Sequence, residues 1–276
     1  KMSSTDGLYY AAMDADTDGE EGKYYSYEMD ELKMISENTD FDLFLSYYNI
    51  DVENPWEKNR FLLLPNKFNY EKKWIDSNNV SKKEISDLIT IWEKNINDIK
   101  EDRTKPRIDD KIIVSWNALA IIGLIDAYDA FKNEDYISIA KSMFKELKDN
   151  SYRKGQLIHT YKENQFQEGV LEDYAYLSKA AMRLFQATGD ISYFDFSKKV
   201  IDNALELFND EQSDLLKYSN NEELFTKVIS IDDGVTPSPN SIIAEQLFSI
   251  GHVIFDDEYL DLSDKMVSAV QKIIDG

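Results

Sequence analysis

The sequence has no cysteine. Disulfides, thiolate metal sites and thiol nucleophiles are therefore excluded within these residues. Histidine is nearly absent, with two in 276 residues, which argues against a histidine-rich metal centre. Ten glycines and five prolines are few for this length and favour long helices over a turn-rich β fold. No apolar run approaches the roughly 18 residues of a membrane-spanning helix. Bases are in deficit, 31 against 53 acids, for a formal net charge of −22. That balance disfavours nucleic acid and anionic membranes as partners. What is present is 42% hydrophobic and 13% aromatic content, enough to build a core despite the charge. The length allows one large domain or two small ones.

Three segments of the second half repeat one pattern. Asn117 to Phe131 is apolar almost all round, as in a buried helix, and Asp135 to Asp149 carries the single stripe of a half-exposed one. The pair recurs from Asp173, broken by Gly189-Asp190, and again from Asn240, broken at Phe255-Asp256-Asp257. The register holds: Asn117 to Tyr136 is 19 residues, Asp173 to Tyr193 is 20, and Asn240 to Tyr259 is 19. Each unit is an inner helix, a tight turn and an amphipathic outer helix. One such hairpin cannot bury its own face, so the units stack. A buried helix alternating with an amphipathic one favours a double-layered ring over an open solenoid. The fold class expected is all-α, part of an α/α toroid, with three hairpins over 101–276 and a small β-hairpin near the N-terminus.

Residues 1–100 are less regular. Leu8–Met13 and Lys23–Tyr27 read as two strands of a hairpin around an acidic loop. Glu28–Ile35 and Phe41–Tyr48 read as short helices and Phe61–Leu64 as a short strand. Ser81 with Glu84 forms a capping-box pattern that opens a helix to about Lys100. No composition shift marks a domain boundary, so one domain is expected. With no basic and apolar leader after Lys1, and a helical pattern running to Gly276, the chain reads as part of a longer, cytoplasmic protein.

The informative polar residues sit just before the inner helices. Asp109-Asp110 and Trp116-Asn117 flank the first. Glu172-Asp173-Tyr174 opens the second. Asp232-Asp233 and Asn240 precede or open the third. In a toroid these starts face one end, so the clusters converge on one mouth. Carboxylates, amides and aromatic faces together suit a sugar: acids move protons, amides bind hydroxyls and a ring stacks. The competing reading is capping, since acids, Asn and Ser are favoured at helix starts. It accounts less well for Trp116 and for the three pairs of consecutive acids. The loop Asp14–Gly22 begins as a calcium loop does, but the twelfth position is Tyr25, which rules against an EF-hand. A nonstandard calcium site, a hairpin tip reaching the mouth through Asp16 and Glu20, and a solvated turn all remain open. His159 and His252 read as structural residues.

These motifs also carry a resemblance. Residues 7–25 (GlyLeuTyrTyrAlaAla through GluGluGlyLysTyrTyr), 109–117 (AspAspLysIleIleValSerTrpAsn), 171–177 (LeuGluAspTyrAlaTyrLeu) and 233–241 (AspGlyValThrProSerProAsnSer) occur in this order. Together they resemble the thioredoxin-domain-containing family that includes spermatogenesis-associated protein 20. The resemblance implies an N-terminal thioredoxin-like domain followed by an (α/α)6 toroid similar to N-acylglucosamine 2-epimerase and the six-hairpin glycosidases. This chain would be the middle of that toroid, with the thioredoxin-like domain as its partner. Ala118 and Pro239 stand where the family pattern has glycine. Neither histidine falls in a shared motif, so epimerase chemistry is not carried over.

The expectation is a carbohydrate-processing, hydrolase-like toroid. A pair among Asp110, Glu172, Asp173 and Asp233 supplies general acid and base. Trp116 and Tyr174 form the platform, Asn117 and Asn240 bind hydroxyls, and Asp16 and Glu20 close the site. The ligand is a small molecule or oligosaccharide, with no metal and no cofactor. The rival is a non-catalytic glycan- or peptide-binding scaffold.

Overall fold

The computed structural model describes residues 2–65, 75, 78, 80–153, 155–162, 165–220 and 228–275. Contacts divide the chain into two compact units, residues 13–108 and residues 1–12 with 109–276.

In the smaller unit, strands β1 (Asp16–Thr17) and β2 (Glu20–Glu21) pair antiparallel. The turn between them is Asp18-Gly19, both at positive φ, the pairing that a two-residue hairpin of type I′ demands. The hairpin thus lies inside the acidic loop. It does not join Leu8–Met13 to Lys23–Tyr27 as expected: β3 (Ser26–Tyr27) pairs instead with β4 (Phe61–Leu62). Helices α1 (Met29–Ile35), α2 (Phe41–Tyr47) and α3 (Lys82–Asp102) pack around Trp92, which is fully buried. The capping box at Ser81 forms, with Glu84 N–H donating to Ser81 Oγ at 3.2 Å and Ser81 N–H to Glu84 Oε2 at 2.8 Å. Arg103 lies over the Tyr27 ring and donates to Glu31 at 2.6 Å.

The larger unit is built on three helical hairpins of the α/α toroid type. Inner helices α4 (Val114–Phe131), α6 (Leu171–Thr188) and α8 (Pro239–Ile254) alternate with outer helices α5 (Glu134–Ser151), α7 (Ile191–Phe208) and α9 (Asp257–Asp275). Each inner helix packs on its own outer partner, and α6 packs on both α4 and α8. That neighbourhood decides burial. α6 is buried on nearly all sides, from Leu171 through Leu184, because helices flank it left, right and behind. α4 is the more apolar sequence, yet Leu119, Ile122 and Leu124 remain only half-buried. Among the described residues it has an inner neighbour on one side only. On α8 and α9, Phe248, Val267 and Ile274 stay exposed along an apolar groove.

The hairpins share one joint. Each inner helix ends on a left-handed residue, Lys132, Gly189 or Phe255. The next residue, Asn133, Asp190 or Asp256, accepts a backbone N–H from two positions on, at 2.9–3.0 Å. A left-handed cap followed by a side-chain acceptor stops one helix and starts the next in two residues. The hairpin crossings are held by small polar residues. Ser178 and Ser197 bond each other at 2.8 Å, and Ser263 donates to Ala244 O at 2.8 Å; both pairs are 19 residues apart. Beside the inner-helix starts runs a sheet whose central strand, β7 (Gln156–Lys162), pairs antiparallel with β5 (Ile112–Ile113), β6 (Tyr152–Arg153) and β8 (Gln165–Glu168).

Candidate functional site at the inner-helix starts

The densest polar cluster joins the starts of α4 and α6 to strand β7. Asp173 is the third residue of α6 and is fully buried. Its carboxylate accepts Val170 N–H at 2.9 Å, which caps its own helix, and Ser115 N–H at 3.0 Å from the first turn of α4. It also meets His159 Nδ1 at 2.9 and 3.1 Å. Strand β7 can lie this close because of Gly169: a Cβ there would sit 2.6 Å from Leu157 O. Burial pushes the Asp173 carboxyl up, opposed by the bond from His159. The same bond, with the charge of Asp173, pushes the His159 imidazolium up. Nδ1 is the ring nitrogen turned to Asp173, with Nε2 on the other side of the ring.

Glu172 stands beside this pair, half-buried. Ser115 Oγ donates to it at 2.9 Å, and the Tyr218 hydroxyl also bonds to it. Burial and the Glu172 charge hold the Tyr218 phenol above its ordinary value, so it stays a donor. Tyr176 donates to Pro237 O and feels the negative charges of both Glu172 and Asp233. Single ligand atoms of His159, Glu172 and Asp173 lie within 4.8 Å of one another, a spacing compatible with a three-ligand cation site. The His159 to Asp173 spacings are those of a direct hydrogen bond, and Asp173 already accepts two backbone N–H groups. The donor set fits an oriented acid–base pair better than a cation shell.

The other predicted residues fall in different places. Trp116 is exposed on the first turn of α4, next to Ser115. Asp110 pairs with Lys162 and Asp109 with Lys111, contacts that lower both carboxyls. Asp233 accepts Ser238 N–H at 2.8 Å, bracing the start of α8. Tyr174 is not a platform: it is 1% exposed, its ring packs on Phe208, and its hydroxyl accepts Leu157 N–H at 2.9 Å. Asn117 and Asn240 are not free for hydroxyls either. Asn117 bonds Tyr9 N and O at 2.8 and 3.0 Å and Ile113 O at 3.0 Å. Asn240 bonds Leu216 N and O at 2.9 and 3.1 Å and Ser230 O at 3.0 Å. Both are 1% exposed, clamping loop backbone to an inner helix. Asp16 and Glu20 lie on the β1–β2 hairpin of the smaller unit, where Lys58 and Lys23 hold the Glu20 carboxyl down. His252 is exposed and donates to Phe248 O at 2.9 Å. His159, Ser115 and Tyr218 are not among the residues the sequence points to: strand pairing brings His159 and a returning loop brings Tyr218 to Glu172 and Asp173, and Ser115 meets them where α4 packs on α6.

Three helical hairpins with a polar cluster at their inner starts define a fold of the α/α toroid type. The sequence is homologous to spermatogenesis-associated protein 20: it is 25% identical to the mouse protein over 176 residues, covering 59% of this chain and 22% of that one. It is 27% identical to Uncharacterized protein B0495.5 of Caenorhabditis elegans over 305 residues, covering 96% of this chain and 40% of that one. The chain thus spans less than half the length of these relatives. No family model matches. Among solved structures, a GH76 α-mannanase of Bacteroides thetaiotaomicron aligns with TM-score 0.50 at 18% identity, covering 68% of this chain and 55% of that one. A cellobiose 2-epimerase from Spirochaeta thermophila aligns with TM-score 0.49 at 12% identity, over 63% and 48%. The mannanase likeness speaks to the fold. Among the described residues no helix is long and apolar enough to cross a membrane.

Proposed function

We propose that the cluster at the inner-helix starts is the acid–base centre of a carbohydrate-processing, hydrolase-like toroid. The observation that carries this reading is a histidine oriented by a buried carboxylate and set beside a second carboxylate held by two hydroxyls. A protonated His159 Nε2 delivers its proton to the leaving oxygen as the glycosidic C–O bond breaks, and Glu172 takes a proton from the water that attacks the sugar carbon. Asp173 acts through His159 by fixing its ring and tautomer, as a positioning residue. Ser115 and Tyr218 orient the Glu172 carboxylate. Trp116 offers an exposed indole face on which a sugar ring stacks. Asp110 and Asp233 stand at the rim. The structure of the mannanase and the homology to spermatogenesis-associated protein 20 support the fold on which this reading rests. In the longer protein, the partner of the toroid is a thioredoxin-like domain.

The test is calorimetric titration of the full-length protein with a panel of mono- and oligosaccharides, wild type beside Glu172→Gln and His159→Ala. Saccharide binding by the wild type is expected, with any turnover falling by about 10²–10⁴ in each variant. Absence of binding across the panel, or variants indistinguishable from wild type, defeats the proposal.

A further inference from the structure

The groove between α8 and α9 has a volume of about 580 Å³, and Phe248, Met266, Val267 and Ile274 are among its apolar lining residues. The repeat tells what such a face is for. The caps at Gly189 and Phe255 are 66 residues apart, as are the crossing serines Ser197 and Ser263, so the second and third hairpins share one register. In that register Phe248 answers to Met182, Val267 to Ile201 and Ile274 to Phe208. The three in the second hairpin are at most 3% exposed, and the three in the third at least 52%. All six are apolar, so the difference lies in the neighbour. α8 packs against α6 and α7, whereas the corresponding face of α8 and α9 is bare. A repeat array that ended here would close on a polar face, which terminal repeats need to stay in solution. A contiguous apolar face instead marks an interface. The charged residues lining the groove are Glu245 and Asp264, with no base among them. Ion pairs already tie adjacent inner helices, Arg183 with Asp126 at 2.6 Å and Lys179 with Glu245 at 2.7 Å. The acidic rim complements a basic helix. It repels a second copy of itself, in a chain of net charge −22.

We propose that a further helical hairpin of the full-length protein, from outside residues 1–276, docks on α8 and α9 as these dock on α6 and α7. Its inner helix lays an apolar stripe over Phe248 and Val267 and turns Lys or Arg toward Glu245 and Asp264. The relatives extend well beyond these residues in length, enough to supply such a hairpin.

The test is photo-cross-linking of the full-length protein with p-benzoylphenylalanine in place of Val267, followed by peptide mapping. A cross-link within one chain, to an apolar-striped segment outside residues 1–276 that carries Lys or Arg, is expected. Any other result overturns the proposal. A link between chains means that a second copy fills the groove, a link into residues 13–108 that the smaller unit does, and no link that the groove is open. Stability gives a second reading. Ile191 is exposed to the same 58% as Val267, but acids, Glu134 and Asp257, hold its place in the other hairpins, so that position is solvated. In the full-length protein Val267→Asp should lower the melting midpoint by at least about 5 °C, and Ile191→Asp should move it by less than about 2 °C. If Val267→Asp does not fold, Val267→Ala beside Ile191→Ala carries the same comparison, with about 3 °C lost in the first and under about 1 °C in the second. Equal shifts at the two positions would overturn the proposal.

Discussion

The two ends of the inner helices are both rich in polar residues, yet they do different work. At the C-terminal ends the same device appears three times: a left-handed residue, then an Asn or Asp that accepts from two positions on. Each joint is exposed and serves only its own hairpin. At the N-terminal ends no single device serves all three starts, and the partners come from outside the hairpin. Asp173 ties α6 to α4 and to a strand, Asn117 and Asn240 grip distant loops, and Glu172 is held by residues from two other segments. Repetition at one end and individuality at the other separate the residues that make the repeat from those free to make a site. Polar residues at helix starts or stops are not informative by type. They become so when their partners lie outside their own hairpin.

Substitutions at the two ends should break the comparison if it is wrong. The largest effect is expected for Asp173→Ala, which leaves two backbone N–H groups and His159 without their acceptor. A loss of about 3–5 kcal/mol in denaturant unfolding is expected. Asp190→Ala at a C-terminal joint should lose only about 1 kcal/mol. Equal losses would dissolve the distinction. Asn117→Ala and Asn240→Ala should each lose about 2–3 kcal/mol, because each strips partners from buried loop backbone. Glu172→Gln should stay within about 1 kcal/mol of wild type, since Gln still accepts from Ser115 and Tyr218. A large destabilisation there would make Glu172 structural and remove the case for chemistry.

A pH series sharpens the same contrast. The folded value of His159 is raised, so the stability it contributes is full below its unfolded value near 6.5 and fades as pH rises through the folded one. The stability gap between wild type and His159→Gln should narrow over that window. A gap that widens with pH would contradict the assigned contact. The smallest effect is expected at Phe255, which is 91% exposed at φ 58. Phe255→Gly relieves a left-handed strain and should raise stability by up to about 1 kcal/mol, read from the melting midpoint.

The hairpins were legible because 3.6-residue periodicity and a 19–20-residue register are local properties of the chain. The gathering of polar residues at the inner-helix starts was legible, because acids and amides cluster there in the sequence. Which residues meet there was not. His159 reaches Asp173 only because β7 pairs with β5 and passes tightly by Gly169. Tyr218 is 46 residues from Glu172 and reaches it through a loop whose backbone Asn240 holds. Tyr174 read as a platform because it adjoins the acids, but α6 is surrounded and its tyrosine turns into the core. The acidic hairpin is narrower than the flanking apolar runs suggest, and Asp18-Gly19 names its turn.

Asn117 and Asn240 offer their side-chain amides to loop backbone as a neighbouring strand would, one N–H given and one carbonyl answered. The Tyr9 and Leu216 amides are thereby shielded from exchange with solvent in segments that belong to no sheet with these partners. Such an amide can open only when its asparagine lets go, and the asparagine sits in the first turn of a core helix. Deuterium uptake in these two loops therefore reports on the fraying of the helices beneath them, and loop and helix should lose protection together.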